Sequence, residues 1–264
     1  MTVTSSPAND LELALSLANA ADHITTARFL ADDLVVETKP DLTPVTEADR
    51  AAEVEIRNLL ASARPDDAVL GEEHGLTGGE HNARRWILDP IDGTKNFVRG
   101  LPVWGTLIGL QVDGVLTVGV VSAPALGRRW YASRGGAAFV EGAYAPRGPL
   151  RVSRVAHLGD ACVTHSDLAL AEGCGYADAT MAIAKASWRT RGYGDFWMHV
   201  LVAEGAVDAA FEPDVKPWDL AAVSIIVEEA GGRFSDFAGR PSIDGGSAVS
   251  SNGLLHDDLL RYLA

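Results

Sequence analysis

One stretch of sequence decides the fold of this chain: Trp86-Ile87-Leu88-Asp89-Pro90-Ile91-Asp92-Gly93-Thr94. Its three apolar residues predict a short buried strand that runs directly into Asp89. Pro90 and Gly93 favour a turn, which can aim the carboxylates of Asp89 and Asp92 and the carbonyl of Ile91 at one point. Hard divalent cations take several oxygen ligands, so the stretch is a candidate metal site. Two aspartates can also simply form a turn, and this stretch alone leaves both interpretations open.

Thr94 begins the segment after the turn. Free backbone N–H groups at the start of such a segment can receive an anion. Metal ions beside an anion-binding pocket are what enzymes use to transfer a phosphoryl group to water. The stretch therefore predicts a phosphate ester as substrate.

Further acidic residues lie where predicted elements begin or end. Glu72-Glu73 follow Gly71 after the predicted strand 68–70, and Asp219 begins the predicted helix 218–230. Asp49 lies three residues after Thr46, at the start of a predicted helix that ends near residue 63. Each also has a structural explanation: a solvated pair, a favourable charge at a helix N-terminus, and a capping box.

Composition narrows the function classes. The 264 residues carry 22 basic and 36 acidic side chains, a net charge of −14, which argues against nucleic acid as a partner. The two cysteines, Cys162 and Cys174, form no C-x-x-C pair, which argues against a zinc ribbon or a thioredoxin-type motif. With so few cysteines, a reducing cytoplasm is the simpler expectation for the location. We expect no membrane partner, because no apolar run reaches about 18 residues and Met1 to Asn9 resemble no signal peptide.

The pattern along the chain changes near residue 150. Asp113-Gly114 and Arg134-Gly135-Gly136 predict two hairpins in the first half, whereas helices and strands alternate in the second. The Gly- and Pro-rich residues 143–149 are the predicted seam. We expect an N-terminal α+β lobe over 1–150 with most of the metal ligands. We also expect a C-terminal α/β lobe over 151–264 that carries Asp219. The two lobes are expected to form one catalytic unit. Residues 75–83 are predicted to be an exposed loop.

Four blocks of this sequence together resemble the inositol monophosphatase superfamily. They occur in the order of that family's motifs: Asp49, Gly71-Glu72-Glu73, Asp89-Pro90-Ile91-Asp92-Gly93-Thr94 and Trp218-Asp219-Leu220-Ala221. The longer runs Asp92–Trp104 and Lys39–Thr46 resemble the histidinol-phosphate phosphatase branch found in actinobacteria. The resemblance implies an α/β (α+β) fold, the layered αβαβα sandwich of these phosphatases.

The resemblance also implies roles for individual residues. Glu72, Asp89 and the carbonyl of Ile91 correspond to the ligands of one Mg²⁺, and Asp89, Asp92 and Asp219 to those of a second. Glu72 is also implied for a weaker third ion. Asp49, Glu72 and Thr94 correspond to the catalytic residues, with Asp49 and Thr94 orienting the attacking water. The implied substrate-binding residues are Ile91, Asp92, Gly93, Thr94, Arg191, Asp195, Glu212 and Asp219.

The expected reaction is the Mg²⁺-dependent hydrolysis of a small phosphate monoester, L-histidinol phosphate above all. Acidic Asp195 and Glu212 suit its ammonium and imidazole groups. Inositol-1-phosphate, fructose-1,6-bisphosphate or a 3′-phosphonucleotide are alternative substrates. A non-enzymatic metal-binding interaction domain is a further alternative. Dehalogenase-type phosphatases use aspartates two apart, whereas Asp89 and Asp92 are three apart, so a metal-activated water is expected. Relatives are typically homodimers, and we expect a homodimer here.

Overall fold

The structure is a computed structural model that describes residues 7–40, 42–78 and 83–263. Over these residues the chain forms eight α-helices and fourteen β-strands. The helices are α1 (Pro7–Arg28), α2 (Glu47–Ala63), α3 (Thr94–Val98), α4 (Leu168–Gly173), α5 (Ala177–Ala186), α6 (Asp195–Ala203), α7 (Pro217–Glu229) and α8 (His256–Leu263). The strands of the first half are β1 (Val36–Thr38), β2 (Pro44–Thr46), β3 (Ala68–Gly71), β4 (Gly75–Thr77), β5 (Arg84–Asp92), β6 (Gly105–Val112), β7 (Val115–Ala123), β8 (Arg128–Ser133) and β9 (Ala138–Gly142). Those of the second half are β10 (Cys162–His165), β11 (Arg189–Gly192), β12 (Ala209–Glu212), β13 (Arg233–Ser235) and β14 (Ala248–Ser251).

The strands form two large sheets and one small hairpin. The seven-stranded sheet has the order β4-β3-β5-β6-β7-β8-β9, and the five-stranded sheet the order β11-β10-β12-β14-β13. The antiparallel pair β1–β2 stands apart from both. Both hairpins predicted in the first half are present, as β6–β7 and β8–β9.

The helices and sheets stack in five layers. Helices α1 and α2 cover one face of the seven-stranded sheet, with Leu17 and Ile56 in the shared core. Helices α6 and α7 lie between its other face and the five-stranded sheet. Helices α5 and α8 cover the outer face of the five-stranded sheet, where Ile183 and Leu259 are buried. This arrangement confirms the predicted αβαβα sandwich.

Two paired glycines let α7 lie directly on the large sheet. Gly109 in β6 is opposite Gly119 in β7. A Cβ atom on Gly109 would be 2.6 Å from the Cβ of Ala221, and one on Gly119 would be 2.5 Å from the carbonyl oxygen of Ala222. Because protein interiors are close-packed, the absence of these two side chains sets how closely α7 approaches the sheet.

Some local predictions need correction. Residues 75–77, expected in a loop, form β4 and pair with β3, so they extend the edge of the large sheet. Asp89–Asp92, expected to form a turn after a strand, remain within β5. Asp41 and residues 1–6, 79–82 and 264 lie outside the described residues.

The boundary between lobes near residue 150 stays a prediction. The seven-stranded sheet ends with β9, and the five-stranded sheet begins with β10. Helices α6 and α7, however, come from the second half and pack on the first-half sheet. No helix of the described residues combines the length and apolar character needed to cross a membrane.

Candidate active site

A bulge in β5 brings Asp89 and Asp92 together. Side chains alternate between the two faces of a strand, so residues three apart on a regular strand point in opposite directions. In β5, Asp89 pairs with Leu107 and Asp92 with Gly105, so three steps on one strand match two on its neighbour. The extra residue reverses the alternation and places both carboxylates on the α6–α7 side of the sheet.

Asp219 joins these two residues from the first turn of α7. Its Oδ2 accepts a hydrogen bond of 2.7 Å from the backbone N–H of Lys216, as expected for a helix-capping role. One carboxylate oxygen from each of Asp89, Asp92 and Asp219 lies within 4.8 Å of the other two. Asp219 can therefore both cap α7 and act as a metal ligand. Its carboxylate accepts the capping hydrogen bond and also contributes an oxygen to the cluster.

The three carboxylates strongly perturb one another. Burial, with the negative charges of Glu72, Asp92 and Asp219, raises the pKa of Asp89 well above its usual range. Burial and the charges of Asp195 and Asp219 do the same to the pKa of Asp92. Burial raises the pKa of Asp219 to about 7. A cluster of buried carboxylates cannot ionise fully without a compensating positive charge.

This cluster fits a divalent cation. Asp89 is 2% exposed, and its Oδ1 has no hydrogen-bond partner among the described residues. An unsatisfied buried carboxylate oxygen is costly, and a cation would satisfy it. All the atoms offered are carboxylate oxygens, the ligand type that Mg²⁺ and Ca²⁺ prefer.

Asp49 and Thr94 meet beside the cluster. Thr46 caps α2, and its backbone N–H and hydroxyl donate to Asp49 Oδ2 at 2.8 and 2.5 Å. The other oxygen, Oδ1, lies 3.3 Å from Thr94 Oγ1, which is also 2.9 Å from the carbonyl oxygen of Ile91. Burial raises the pKa of Asp49 to about 6. The predicted capping box is confirmed, and it aims the free oxygen of Asp49 at Thr94.

Glu72 lies in the turn that follows β3, and buried Glu53 fixes that turn. The carboxylate of Glu53 accepts hydrogen bonds from the backbone N–H groups of Glu73 and His74 at 2.8 and 3.2 Å. Arg57 Nε donates to Glu53 at 2.7 Å and neutralises it. Glu72 itself is not a solvated side chain, because Lys39 Nζ lies 2.7 Å from its Oε1.

Most of the predicted residues line one cleft of about 790 Å³. Asp195 and Glu212 also line this cleft, and Asn96 Nδ2 donates to Asp195 Oδ2 at 3.0 Å. Burial raises the pKa of Asp195 to about 6 and that of Glu212 to about 7. The predicted site residues in the lining are Glu72, Asp89, Ile91, Asp92, Gly93, Thr94, Asp195, Glu212 and Asp219.

Comparison with known proteins agrees with this geometry. A family model described as the inositol monophosphatase family matches residues 7–264. The chain belongs to the inositol monophosphatase family. Enzymes of this family depend on metal ions, and the cluster of Asp89, Asp92 and Asp219 could bind one. The predicted resemblance is thereby confirmed.

Individual relatives match over nearly the whole chain. A histidinol-phosphatase of Mycobacterium tuberculosis is 54% identical over 97% of this chain and 98% of its own length. A histidinol-phosphatase of Streptomyces coelicolor is 52% identical, with 97% of each chain covered. Among solved structures, an IMPase of Thermotoga maritima is 32% identical and superposes with a TM-score of 0.85, over 97% of this chain and 96% of that one.

Arg191 lies apart from the other predicted residues of this inositol monophosphatase fold. It projects from β11, the edge strand of the five-stranded sheet, where its side chain is exposed and donates to the carbonyl oxygen of Thr190. It is not among the residues that line the cleft. Which side chains of β11 reach the cleft depends on how the strand packs in the sheet, and the local sequence around Arg191 does not reveal it.

Sequence reasoning missed several residues of the cleft. Lys39, Asn96, Tyr193 and Trp218 all line it. Three of these residues lay in the quoted motifs, and only their contacts give them a part in the site. Trp197, near Tyr193 in sequence, packs against the main core, and its ring centroid lies 5.1 Å from that of Tyr193.

Proposed function

We propose that this protein is a Mg²⁺-dependent phosphoric monoester hydrolase that converts L-histidinol phosphate and water to L-histidinol and phosphate in histidine biosynthesis. The observation that carries this proposal is the convergence of Asp89, Asp92 and Asp219 in one cleft with the acidic pair Asp195 and Glu212. The first group suits a metal and a phosphate, and the second suits a cationic organic group. The two histidinol-phosphatases that are 52–54% identical over nearly the whole chain support the same substrate.

In this proposal groups that line the cleft would hold two Mg²⁺ ions. Glu72, Asp89 and the carbonyl of Ile91 would hold one, and Asp89, Asp92 and Asp219 the other. Bound cations would neutralise the phosphate dianion and lower the pKa of a coordinated water. A third ion near Glu72 would have to compete with Lys39, whose Nζ occupies one oxygen of that carboxylate.

Asp49 and Thr94 orient the attacking water. The Thr94 hydroxyl has one hydrogen, which it donates to Asp49 Oδ1 or to the carbonyl of Ile91, and a free lone pair that can accept a hydrogen from water. Asp49 Oδ1 can then take up a proton as the water oxygen bonds to phosphorus. The P–O ester bond breaks, the leaving oxygen takes a proton from a water molecule, and Asp49 then returns its own proton to solvent. The pKa of about 6 makes Asp49 a stronger base than an ordinary aspartate.

The organic part of the substrate is placed by charge. L-Histidinol carries an ammonium group and an imidazole, and Asp195 and Glu212 provide negative charge at the side of the cleft. A cation beside these half-buried carboxylates favours their ionised form and is bound more strongly than it would be in water. We also propose a homodimer, and a reducing cytoplasm, which suits the two free thiols Cys162 and Cys174.

Phosphate release from a panel of esters tests this function. The panel contains L-histidinol phosphate, inositol-1-phosphate, fructose-1,6-bisphosphate and a 3′-phosphonucleotide, each with Mg²⁺ and with EDTA. We expect L-histidinol phosphate to be preferred by at least about 100-fold in kcat/KM, or about 2.7 kcal/mol of transition-state discrimination. Faster turnover of another ester would refute the substrate assignment, and equal rates in EDTA would refute the metal dependence. An aspartyl-phosphate on Asp89 would refute the attack by water.

A further inference from the structure

A buried histidine in the second half of the chain has no role in the function proposed above. His199 lies on α6 and is 1% exposed. Its Nδ1 lies 2.7 Å from Ser250 Oγ on β14. Its Nε2 has no hydrogen-bond partner among the described residues and lies 3.9 Å from Glu212 Oε2 on β12. One imidazole therefore connects a helix and two strands of the five-stranded sheet.

Burial keeps this imidazole neutral. It lowers the pKa of His199 to about 4, so the ring carries a single N–H at neutral pH. The Ser250 hydroxyl can donate to Nδ1, which leaves the ring proton on Nε2. That tautomer turns an N–H towards Glu212, whereas the other would set the Nε2 lone pair against an ionised carboxylate.

A purely structural role leaves Nε2 unexplained. The neighbouring Met198 and Val200 show that apolar side chains suit this layer. A buried N–H without an acceptor costs about 1–3 kcal/mol, more than the hydrogen bond to Ser250 returns. His199 also lines a small cavity of about 100 Å³ together with Asp92, Asp195, Glu212 and Asp219. Its free nitrogen thus faces the acidic side of the cleft.

We propose that His199 is a positioning residue, whose Nε2–H donates to Glu212 and holds its carboxylate towards the cationic group of the substrate. The inference rests on the proposed function, since it is that substrate's positive charge that keeps Glu212 ionised. A small rotation of the Glu212 side chain would shorten the 3.9 Å separation to a hydrogen bond. As a neutral donor, His199 orients the carboxylate without cancelling the charge that attracts the substrate.

Three substitutions separate this role from simple packing. In His199→Gln the side-chain amide reaches the position of Nε2, in His199→Asn it reaches only that of Nδ1, and His199→Leu removes both. For L-histidinol phosphate we expect KM to rise about tenfold, or about 1.4 kcal/mol, in the Asn and Leu variants, with kcat within about threefold. The Gln variant should recover most of the loss. The KM for p-nitrophenyl phosphate, which has no cationic group, should change much less.

Two further measurements keep the test decisive if the Leu variant does not fold. In ¹⁵N-histidine-labelled enzyme, the resonance lost in His199→Gln should show the Nε2–H tautomer. Combining His199→Asn with Glu212→Gln should add little to the effect of Glu212→Gln alone. Equal KM values for the Asn and Gln variants, an Nδ1–H tautomer, or additive effects would overturn the inference. A wild-type enzyme that hydrolyses p-nitrophenyl phosphate but not L-histidinol phosphate would instead overturn the proposed function.

Discussion

Gly119 in β7 lies directly against Ala222 in α7: a Cβ atom on Gly119 would be 2.5 Å from the carbonyl oxygen of Ala222. Ala222 is one turn of helix after Asp219, the carboxylate that α7 brings to the cluster. The large sheet therefore fixes the distance between Asp219 and the aspartates of β5. Gly119 does not line the cleft, yet its lack of a side chain determines whether the three carboxylates converge.

Gly119→Ala should both destabilise the fold and impair the site. Its methyl group must displace α7, because backbone cannot give way as a side-chain end can. Overpacking of this kind costs about 1–3 kcal/mol. We expect a lower midpoint in urea unfolding and a reduced kcat, measured under saturating Mg²⁺.

The matched control is Gly173→Ala in α4, where a Cβ atom would meet nothing within 4 Å. It should leave activity unchanged and stabilise slightly, because alanine is favoured over glycine in helices. Equal effects of the two substitutions would contradict the packing argument.

Asp92→Asn should abolish turnover while the protein remains folded. The amide oxygen can still accept the hydrogen bond from the backbone N–H of Phe196, which is 2.5 Å from Asp92 Oδ2. Loss of a carboxylate from the metal cluster should lower kcat by about 10³-fold or more. In EDTA the Tm should not fall, because one of three mutually repelling charges has been removed. Normal activity in this variant would show that the cluster is not the site of reaction.

Without divalent cations, stability should fall as the pH rises from about 6.5 to 8. The raised pKa values of Asp49, Glu212 and Asp219, about 6 to 7, mean that the folded state binds these protons more tightly than the unfolded state. Their stabilisation is present at low pH and is lost as the pH rises through those values. The lowered pKa values of His199 and His256, about 4, act in the opposite direction, but that effect fades as the pH rises above about 6.5.

Thermal unfolding in EDTA at these two pH values measures this effect. We expect a lower Tm at pH 8, and a larger increase in Tm on adding Mg²⁺ at pH 8 than at pH 6.5, because a cation binds the ionised carboxylates. A Tm in EDTA that is unchanged between the two values would argue against this electrostatic account.

Asp195→Asn should weaken binding of L-histidinol phosphate more than that of phosphate esters without a cationic group. Asp195 has a φ of +50°, a conformation that asparagine tolerates as well as aspartate, so this variant removes the charge and keeps the backbone. We expect KM for L-histidinol phosphate to rise by about tenfold or more and that for inositol-1-phosphate to change little. Equal changes for both esters would mean that Asp195 does not select the cationic group.

Glu53→Gln should loosen the turn that carries Glu72. It removes the charge that pairs with Arg57 Nε and weakens the hydrogen bonds from the backbone of Glu73 and His74. Arg57 keeps its hydrogen bonds to Thr77 Oγ1 and the carbonyl oxygen of Gly75 but loses its counter-charge, which costs about 1–2 kcal/mol, and the Mg²⁺ concentration needed for half-maximal activity should rise. Titration with Mg²⁺ and urea unfolding test both effects. Glu12→Gln, on the exposed side of α1, is the control that should change neither.

The sequence alone predicted the chemical composition of the site. The acidic residues at the ends of apolar segments, with their order and spacing, led to the family, to the αβαβα layering and to a metal-dependent phosphatase. Local patterns sufficed for the capping box of Thr46 and Asp49 and for the two hairpins, because those interactions join residues a few positions apart.

The tertiary structure decided how these residues meet. The extra residue in β5 exists only in pairing with β6, and it is what turns Asp89 and Asp92 to one side. Contacts between distant segments likewise pair Lys39 with Glu72. They also bring Glu53 into hydrogen-bond contact with the turn that contains Glu72. They also leave Arg191 outside the cleft and His199 beside Glu212. A sequence records which side chains are available, but strand register and helix packing set their directions, and both depend on neighbours far along the chain.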